Sequence, residues 1–396
     1  MLIDAIHTTL SIAGSAAAVF TLPGTWALAR WTWAARRQSA ATGDKQSDTP
    51  ILILVPAHNE ASTLPKTLPR LVAQAERDGR CAVLVIADNC SDNTAEVARS
   101  LGAMTLCRNN TQLRGKGHAL AYAFNAFANY PWYLIVDADS TLDEHYLAQL
   151  RRKIATQPDA IQSRYEPSCA IQDPLADLKR WALRAFNVVR QRGRANLGQS
   201  VSLLGNGFAI SAHTLAQVPF QAGSIVEDFE YQLKLQAHGL KISWLEDSCV
   251  HGEMPQGKGE QTQRVRWEGG RLAMLRQYFM PSCKALVRGQ RQYGLALEEL
   301  MLLPLNLHLA LLLLATLSTN PISILGLAGI VVMLGHIGLA LSELKPQQRM
   351  GALAGFPRYF LWKLAQLPAI LRSSAKDTPW LRSERQADGG IRNESH

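Results

Sequence analysis

The chain has 396 residues, 47% of them hydrophobic and 18% charged, which excludes a largely disordered polymer. Its net charge of +9 suits anionic lipid or phosphorylated substrates. Nucleic acid is excluded as a partner because neither a zinc-finger spacing nor an aromatic–basic RNA signature occurs.

The residues from Thr8 to Ala29 carry no charge and are long enough for a membrane anchor helix. A signal peptide would need a positive start, and this chain begins Met1-Leu2-Ile3-Asp4. Two further apolar runs, Met301 to Ser318 and Pro321 to Ser342, read as a transmembrane hairpin turning at Thr319-Asn320. Arg30, Arg36 and Arg37 follow the first span, and Lys345, Arg349 and Arg358 follow the third. This asymmetry predicts an inner-membrane, multi-pass protein with its central domain in the cytoplasm. Between Gly351 and Leu371, apolar residues recur at helical spacing around Arg358 and Lys363, which predicts a helix lying in the membrane interface. The basic–aromatic segments Leu178–Arg194 and Glu268–Arg291 are expected to face an anionic membrane surface. The residues from Thr378 onward are expected to fray.

Boundaries follow from these shifts: an anchor over 1–37, a polar linker over 38–50, a catalytic domain over 51–280, an interfacial segment and hairpin over 281–345, and an interfacial helix with tail over 346–396. Within the central domain, Ile51–Val55 is a continuous apolar run stopped by Pro56, and Ala82–Ala87 is a second ending at Asp88. Short strands are predicted at Ala103–Leu106 and Trp132–Val136, with helices between. The alternation gives an α/β class with a mostly parallel, doubly wound sheet, whose ligands bind beyond the strands' carboxyl ends. Six cysteines, at 81, 90, 107, 169, 249 and 283, form no CxxC pair and read as reduced thiols.

Polar motifs gather where the strands end. Asp137-Ala138-Asp139 can hold a divalent cation, or can simply make a turn. Asp88-Asn89-Cys90-Ser91-Asp92 can clamp a nucleotide or cap a strand. Gly115-Lys116-Gly117 can contact phosphate but is not a P-loop. Glu227-Asp228 opens a helix, either to favour its dipole or to supply a general base. Gln263-x-x-Arg266-Trp267 puts three side chains on neighbouring turns, with Arg266 suited to a pyrophosphate and Trp267 to a sugar face.

In this order the motifs resemble the inverting family-two glycosyltransferases, most closely the membrane-bound branch with cellulose, chitin and hyaluronan synthases. The wording around Asp88 and Gly115 resembles bacterial exopolysaccharide enzymes of the methanolan-synthesis kind. The resemblance implies a GT-A fold over about Ile51 to Tyr278. It implies Pro56, His58, Glu60, Asp88, Lys116, Asp137 and Arg266 at the donor, and Asp139 on Mg²⁺ or Mn²⁺. It further implies Asp228 as catalytic base, and Gly205, Asn206, Gly207, Glu227, Gln263 and Trp267 toward the acceptor. Two departures stand out: Asp88-Asn89-Cys90-Ser91 replaces the usual Asp-Asp-Gly-Ser, and no gating loop follows Trp267.

The expected reaction is transfer of a hexose from a nucleotide sugar, UDP-linked before GDP-mannose, to a glycan or polyprenyl-linked acceptor in exopolysaccharide assembly. Processive synthesis is the alternative, and a non-catalytic membrane scaffold is the reading from another class. Membrane lipids, and other polysaccharide-assembly proteins, are the further partners expected.

Overall fold

A computed structural model describes residues 2–40, 42–168, 175–221, 224–253 and 258–374. Cys169 and the tail beyond Ser374 lie outside the described residues. Eight strands form one sheet: β1 (Ile51–Ala57), β2 (Cys81–Asp88), β3 (Met104–Arg108), β4 (Trp132–Ile135), β5 (Ser140–Leu142), β6 (Ala160–Ser168), β7 (Phe208–Ser211) and β8 (Ile242–Glu253). Their order is β3-β2-β1-β4-β7-β6-β8-β5. The first four run parallel, as the buried apolar runs demand. The strand β7 is antiparallel to both β4 and β6, and β5 is antiparallel to β8, so the sheet is mixed.

Alternation along β1 shows why both faces are covered. Ile51, Ile53 and Val55 pack with the helix Leu64–Asp78 on one face. Leu52 and Leu54 pack with the helix Lys116–Ala126 on the other. Pro56 does not stop the strand as expected. It lies two residues beyond Leu54, the last partner of β4, so its missing N–H faces a side with no neighbour to bond. Chain order reverses between β1 and β4, and this switch point opens the crevice in which the motifs meet.

The anchor helix runs from Leu2 to Ala34, further than the uncharged stretch, because its last turns pack on the catalytic domain. Trp31 there is fully buried, with the Arg194 guanidinium 4.3 Å over its ring. By length and composition, Asp4–Ala34 and Ser323–Ser342 could each cross a membrane. The anchor approaches the hairpin closely through glycine. A Cβ on Gly14 would stand 2.8 Å from the Leu314 carbonyl oxygen, and one on Gly24 would stand 2.9 Å from that of Met301. The Thr25 hydroxyl shares a 3.0 Å hydrogen bond with His308 Nε2.

Three membrane-side expectations need correction. The run Met301 to Ser318 is not one straight helix but the end of Tyr293–Met301, a break, and Leu305–Thr316, bent by 77°. Pro304 causes the break, because it lacks an N–H and drives its preceding residue out of helical geometry. The segment between Gly351 and Leu371 is two helices, Pro346–Ala365 and Leu367–Ser373. They expose Leu353 and Leu361 on one side and pack on the catalytic domain with the other. The arginines of Leu178–Arg194 do not all face a lipid surface: Arg190, Arg192 and Arg194 are buried. Arg192 pairs with Glu246 at 2.5 Å and Glu343 at 2.6 Å.

Candidate active site

Two asparagines, Asn59 and Asn89, take left-handed backbone just beyond the ends of β1 and β2. They also tie these ends together. Ser91 N donates to Asn59 Oδ1 at 2.7 Å, and the Glu60 N–H donates to Thr94 Oγ1 at 2.9 Å. His58 Nδ1 bonds the Asp88 carbonyl oxygen at 2.7 Å. Asp88 is 6% exposed and accepts from Arg108 at 2.5 Å, its register partner on β3. The expected strand Ala103–Leu106 stops short of Arg108, so the partner that holds Asp88 was hidden in the sequence.

Past β4, Lys116 and Asp137 form an ion pair, and Lys116 Nζ also donates to the Gly205 carbonyl oxygen at 2.5 Å. Burial alone would lower the Lys116 pKa, but Asp137, Glu227 and Asp228 outweigh it and raise it, so the ammonium stays charged. The Gly205-Asn206-Gly207 loop joins the motifs. Gly205 has φ +76°, and a Cβ there would meet Asp228 Oδ2 at 2.9 Å, so only glycine lets the carboxylate sit against this backbone. Asn206 is 2% exposed, and its side chain is engaged at both ends. Its Oδ1 accepts from Asp137 N at 3.1 Å and its Nδ2 donates to Ser140 Oγ at 2.8 Å. It braces Asp137 and the neighbour of Asp139.

Glu227 and Asp228 open the helix Glu227–Ala237, and the Phe229 N–H donates to Asp228 Oδ1 at 2.8 Å. Burial raises the Asp228 pKa, with the Phe229 N–H and Lys116 opposing it. Burial and Asp228 push Glu227 up to about 7, against Lys116 and Arg266. Arg266 faces this pair from the helix Lys258–Val287. That helix comes close because it carries Gly269-Gly270: a Cβ on Gly270 would strike Val226 at 2.6 Å, and Gly269 lies against Ser373. Two further ties hold the C-terminal helix over the site: Lys363 pairs with Glu268, and Arg264 Nη1 donates to the Tyr359 hydroxyl at 2.8 Å.

All this surrounds one cavity of about 1430 Å³. Lys116, Asp137, Asp139, Gly205, Asn206, Glu227, Asp228, Gln263, Arg266 and Trp267 line it. Pro56, His58, Glu60 and Asp88 are not among the lining residues; they shape the adjoining strand ends. Sequence reasoning missed Tyr165, Arg190 and Glu253, which also line the cavity. Burial, then Asp139 and Asp137, push the Tyr165 phenol up, so it stays neutral beside them. The antiparallel register of Ser140 with Gly252 sets Asp139 beside Glu253. Among the described residues no three His, Cys, Asp or Glu side chains enclose a metal by themselves. Asp137 and Asp139 supply the hard oxygens of a partial donor set, the kind that substrate phosphates and water complete around Mg²⁺ or Mn²⁺. The residues therefore fit a divalent cation held jointly with the donor.

Residues 49–270, more than half of the chain, match the family model described as glycosyltransferase like family 2. The chain belongs to this family. Among curated relatives it is 23% identical over 251 residues to the probable glycosyltransferase YdaM of Bacillus subtilis, covering 60% of each chain. It is 33% identical over 112 residues to the 4,4'-diaponeurosporenoate glycosyltransferase of Staphylococcus haemolyticus, covering 27% of this chain and 29% of that one. The matches thus span three fifths or less of these relatives' lengths. The fold is similar to the mannosyltransferase PcManGT from Pyrobaculum calidifontis, solved in complex with GDP-Man and Mn²⁺. That likeness has a TM-score of 0.55 at 16% identity and covers 91% of this chain and 99% of that one. It establishes the GT-A-type sheet. The family model names no synthase branch, so the cellulose- and chitin-synthase resemblance narrows to family two.

Proposed function

We propose that this family-two chain is an inverting hexosyltransferase that uses a nucleotide-sugar donor at the cytoplasmic face of a bacterial inner membrane and serves exopolysaccharide assembly. The observation that carries the reading is the convergence of Lys116, Asp137, Asp139, Asp228 and Arg266 on one end of a single cavity. The other end of that cavity is apolar and formed by the membrane-side helices. A site with a charged mouth and an apolar arm suits a nucleotide diphosphate at one end and a lipid-linked acceptor at the other.

In the proposed step the Asp228 carboxylate takes the proton from an acceptor hydroxyl. The acceptor oxygen bonds to the sugar's anomeric carbon as the bond to the diphosphate breaks, and the configuration inverts. Lys116 and Arg266 offer fixed positive charge to the departing diphosphate. Burial beside Glu227 raises the affinity of Asp228 for the proton. Asp139, with Asp137 beside it, would hold Mg²⁺ or Mn²⁺, whose charge when bound would offset that of the diphosphate. Trp267, 37% exposed on the cavity wall, offers its ring to a sugar.

The test is a screen of radiolabelled nucleotide sugars with membranes that contain the protein, UDP-hexoses first and GDP-mannose second. Label should enter a glycan or lipid product, stop with chelator and return with Mg²⁺ or Mn²⁺. Full activity in excess chelator would remove the metal, and no transfer from any donor would favour the scaffold reading. Cysteine labelling of intact cells should reach a probe at Asn320 and miss one at Gly115; the reverse would overturn the orientation.

A further inference from the structure

Beyond Glu227 and Asp228 the cavity continues into an arm that the transfer step leaves unused. Leu302, Leu309, Met333 and Ile337 of the membrane-side helices wall it, with Phe356 from the C-terminal helix. Arg190 lines the same cavity. It follows a π-helical turn, Ala185–Val189, whose wider register brings Phe186 and Arg190 to one face. The guanidinium lies 4.6 Å over the Phe186 ring.

Arg190 is 2% exposed and lines the cavity, yet no carboxylate or other hydrogen-bond acceptor pairs with it among the described residues. Its neighbour Glu299, fully buried, is already shared by Arg194 and by Arg271, the latter at 2.7 Å. Three arginines thus surround one carboxylate. Burial pulls the Arg190 pKa down to about 9, with Glu299 opposing and Arg271 and Arg194 adding to the fall. A buried guanidinium is tolerated when an anion answers it. A second donor also lacks its acceptor: Asn306 Nδ2 is buried and unbonded, and Asn306 lines the same cavity.

We propose that Arg190 and Asn306 form a phosphate subsite for a membrane-embedded acceptor, a lipid phosphate whose hydrocarbon chain occupies the apolar arm. The inference deepens the transferase reading and rests on it for the site's purpose. Inorganic phosphate could answer the charge, but it would leave the arm's apolar walls unfilled. The donor's own diphosphate already has Lys116 and Arg266 at the mouth.

The test measures tryptophan fluorescence of the full chain in non-ionic detergent, since Trp181 lines the cavity. A long-chain isoprenyl monophosphate is titrated against the matching isoprenyl alcohol, inorganic phosphate and a nucleoside diphosphate. The monophosphate should bind at least about tenfold more tightly than the alcohol, as a charge-assisted hydrogen bond implies. Arg190→Met should weaken it at least about tenfold and Arg190→Lys should restore part of the loss. Nucleoside diphosphate binding should not change. Unliganded Arg190→Met should melt at or above the wild-type Tm, because an unpaired buried charge has gone. Asn306→Leu should weaken lipid phosphate binding in the same direction and keeps the test open if Arg190→Met does not fold. Equal binding of phosphate and alcohol, inorganic phosphate binding as tightly as the lipid, or unchanged binding in both variants would overturn the subsite. A nucleotide loss in Arg190→Met would reassign the arginine to the donor. Nucleotide binding to the wild type tests the transferase reading separately, so either claim can fail alone.

Discussion

The two ends of the cavity are built on different principles. At the mouth and the strand ends that adjoin it, charges pair off nearby: Lys116 with Asp137, Arg108 with Asp88. Beside the inner arm, charge comes from helices far apart in the chain, and Arg194 and Arg271 share Glu299 with Arg190 close by. Paired ions at the mouth can hold its geometry while substrates come and go. An unbalanced arm is completed only by something that brings negative charge.

The largest expected effect tests the mouth. Asp228→Asn should lower transfer by about a thousandfold, within the range for loss of a general base, while nucleotide affinity is retained. Wild-type turnover would remove Asp228 from the reaction. Next comes the shared carboxylate of the arm. Glu299→Gln leaves Arg194, which is 0% exposed, without its counter-charge. Chemical or thermal unfolding should show a loss of about 3 kcal/mol or more, the usual cost of breaking a buried pair from one side. An unchanged Tm would mean that the arm does not need this carboxylate.

A smaller effect tests the loop between the two ends. Gly205→Ala puts a methyl group 2.9 Å from Asp228 Oδ2 and forces a left-handed backbone on a residue with a Cβ. The expected destabilisation is about 1–2 kcal/mol. Transfer should fall more than nucleotide binding does; equal falls would deny the loop its part in placing Asp228. The smallest effect concerns pH. With Glu227 pushed up to about 7 and Asp228 also raised, activity should fall as pH drops through that range and the pair takes up protons. Lys116 lowers both pKa values, so Lys116→Met should move this acid limb toward higher pH. A limb that stays in place, or moves down, would show that the ammonium does not act on the pair.

What could be read in advance follows the range of the forces involved. The strands of the mouth were legible because a sheet covered on both faces demands continuous apolar runs, and the polar residues that end them stand next to them in the chain. Spans were legible from length without charge, but the break at Pro304 and its 77° bend were not read from the apolar run. The antiparallel strand β7 and the pairing of Arg108 with Asp88 were missed, because each is fixed by a partner elsewhere in the chain rather than by its own pattern.

The same division holds for function. The sequence by itself marked the candidates: Asp137, Asp139, Asp228 and the Gln263–Trp267 string stand out as residue types at fixed spacings, and spacing along a strand end or helix turn is local geometry. Only the tertiary structure decided that Asn206 braces Asp137, and that the C-terminal helix walls the cavity. It alone also decided that Arg190 and Arg194 turn inward rather than toward lipid. A charge run looks alike whether it is solvated or buried; the difference lies in the counter-charges and apolar neighbours that folding brings to it, and these come from segments no local pattern connects.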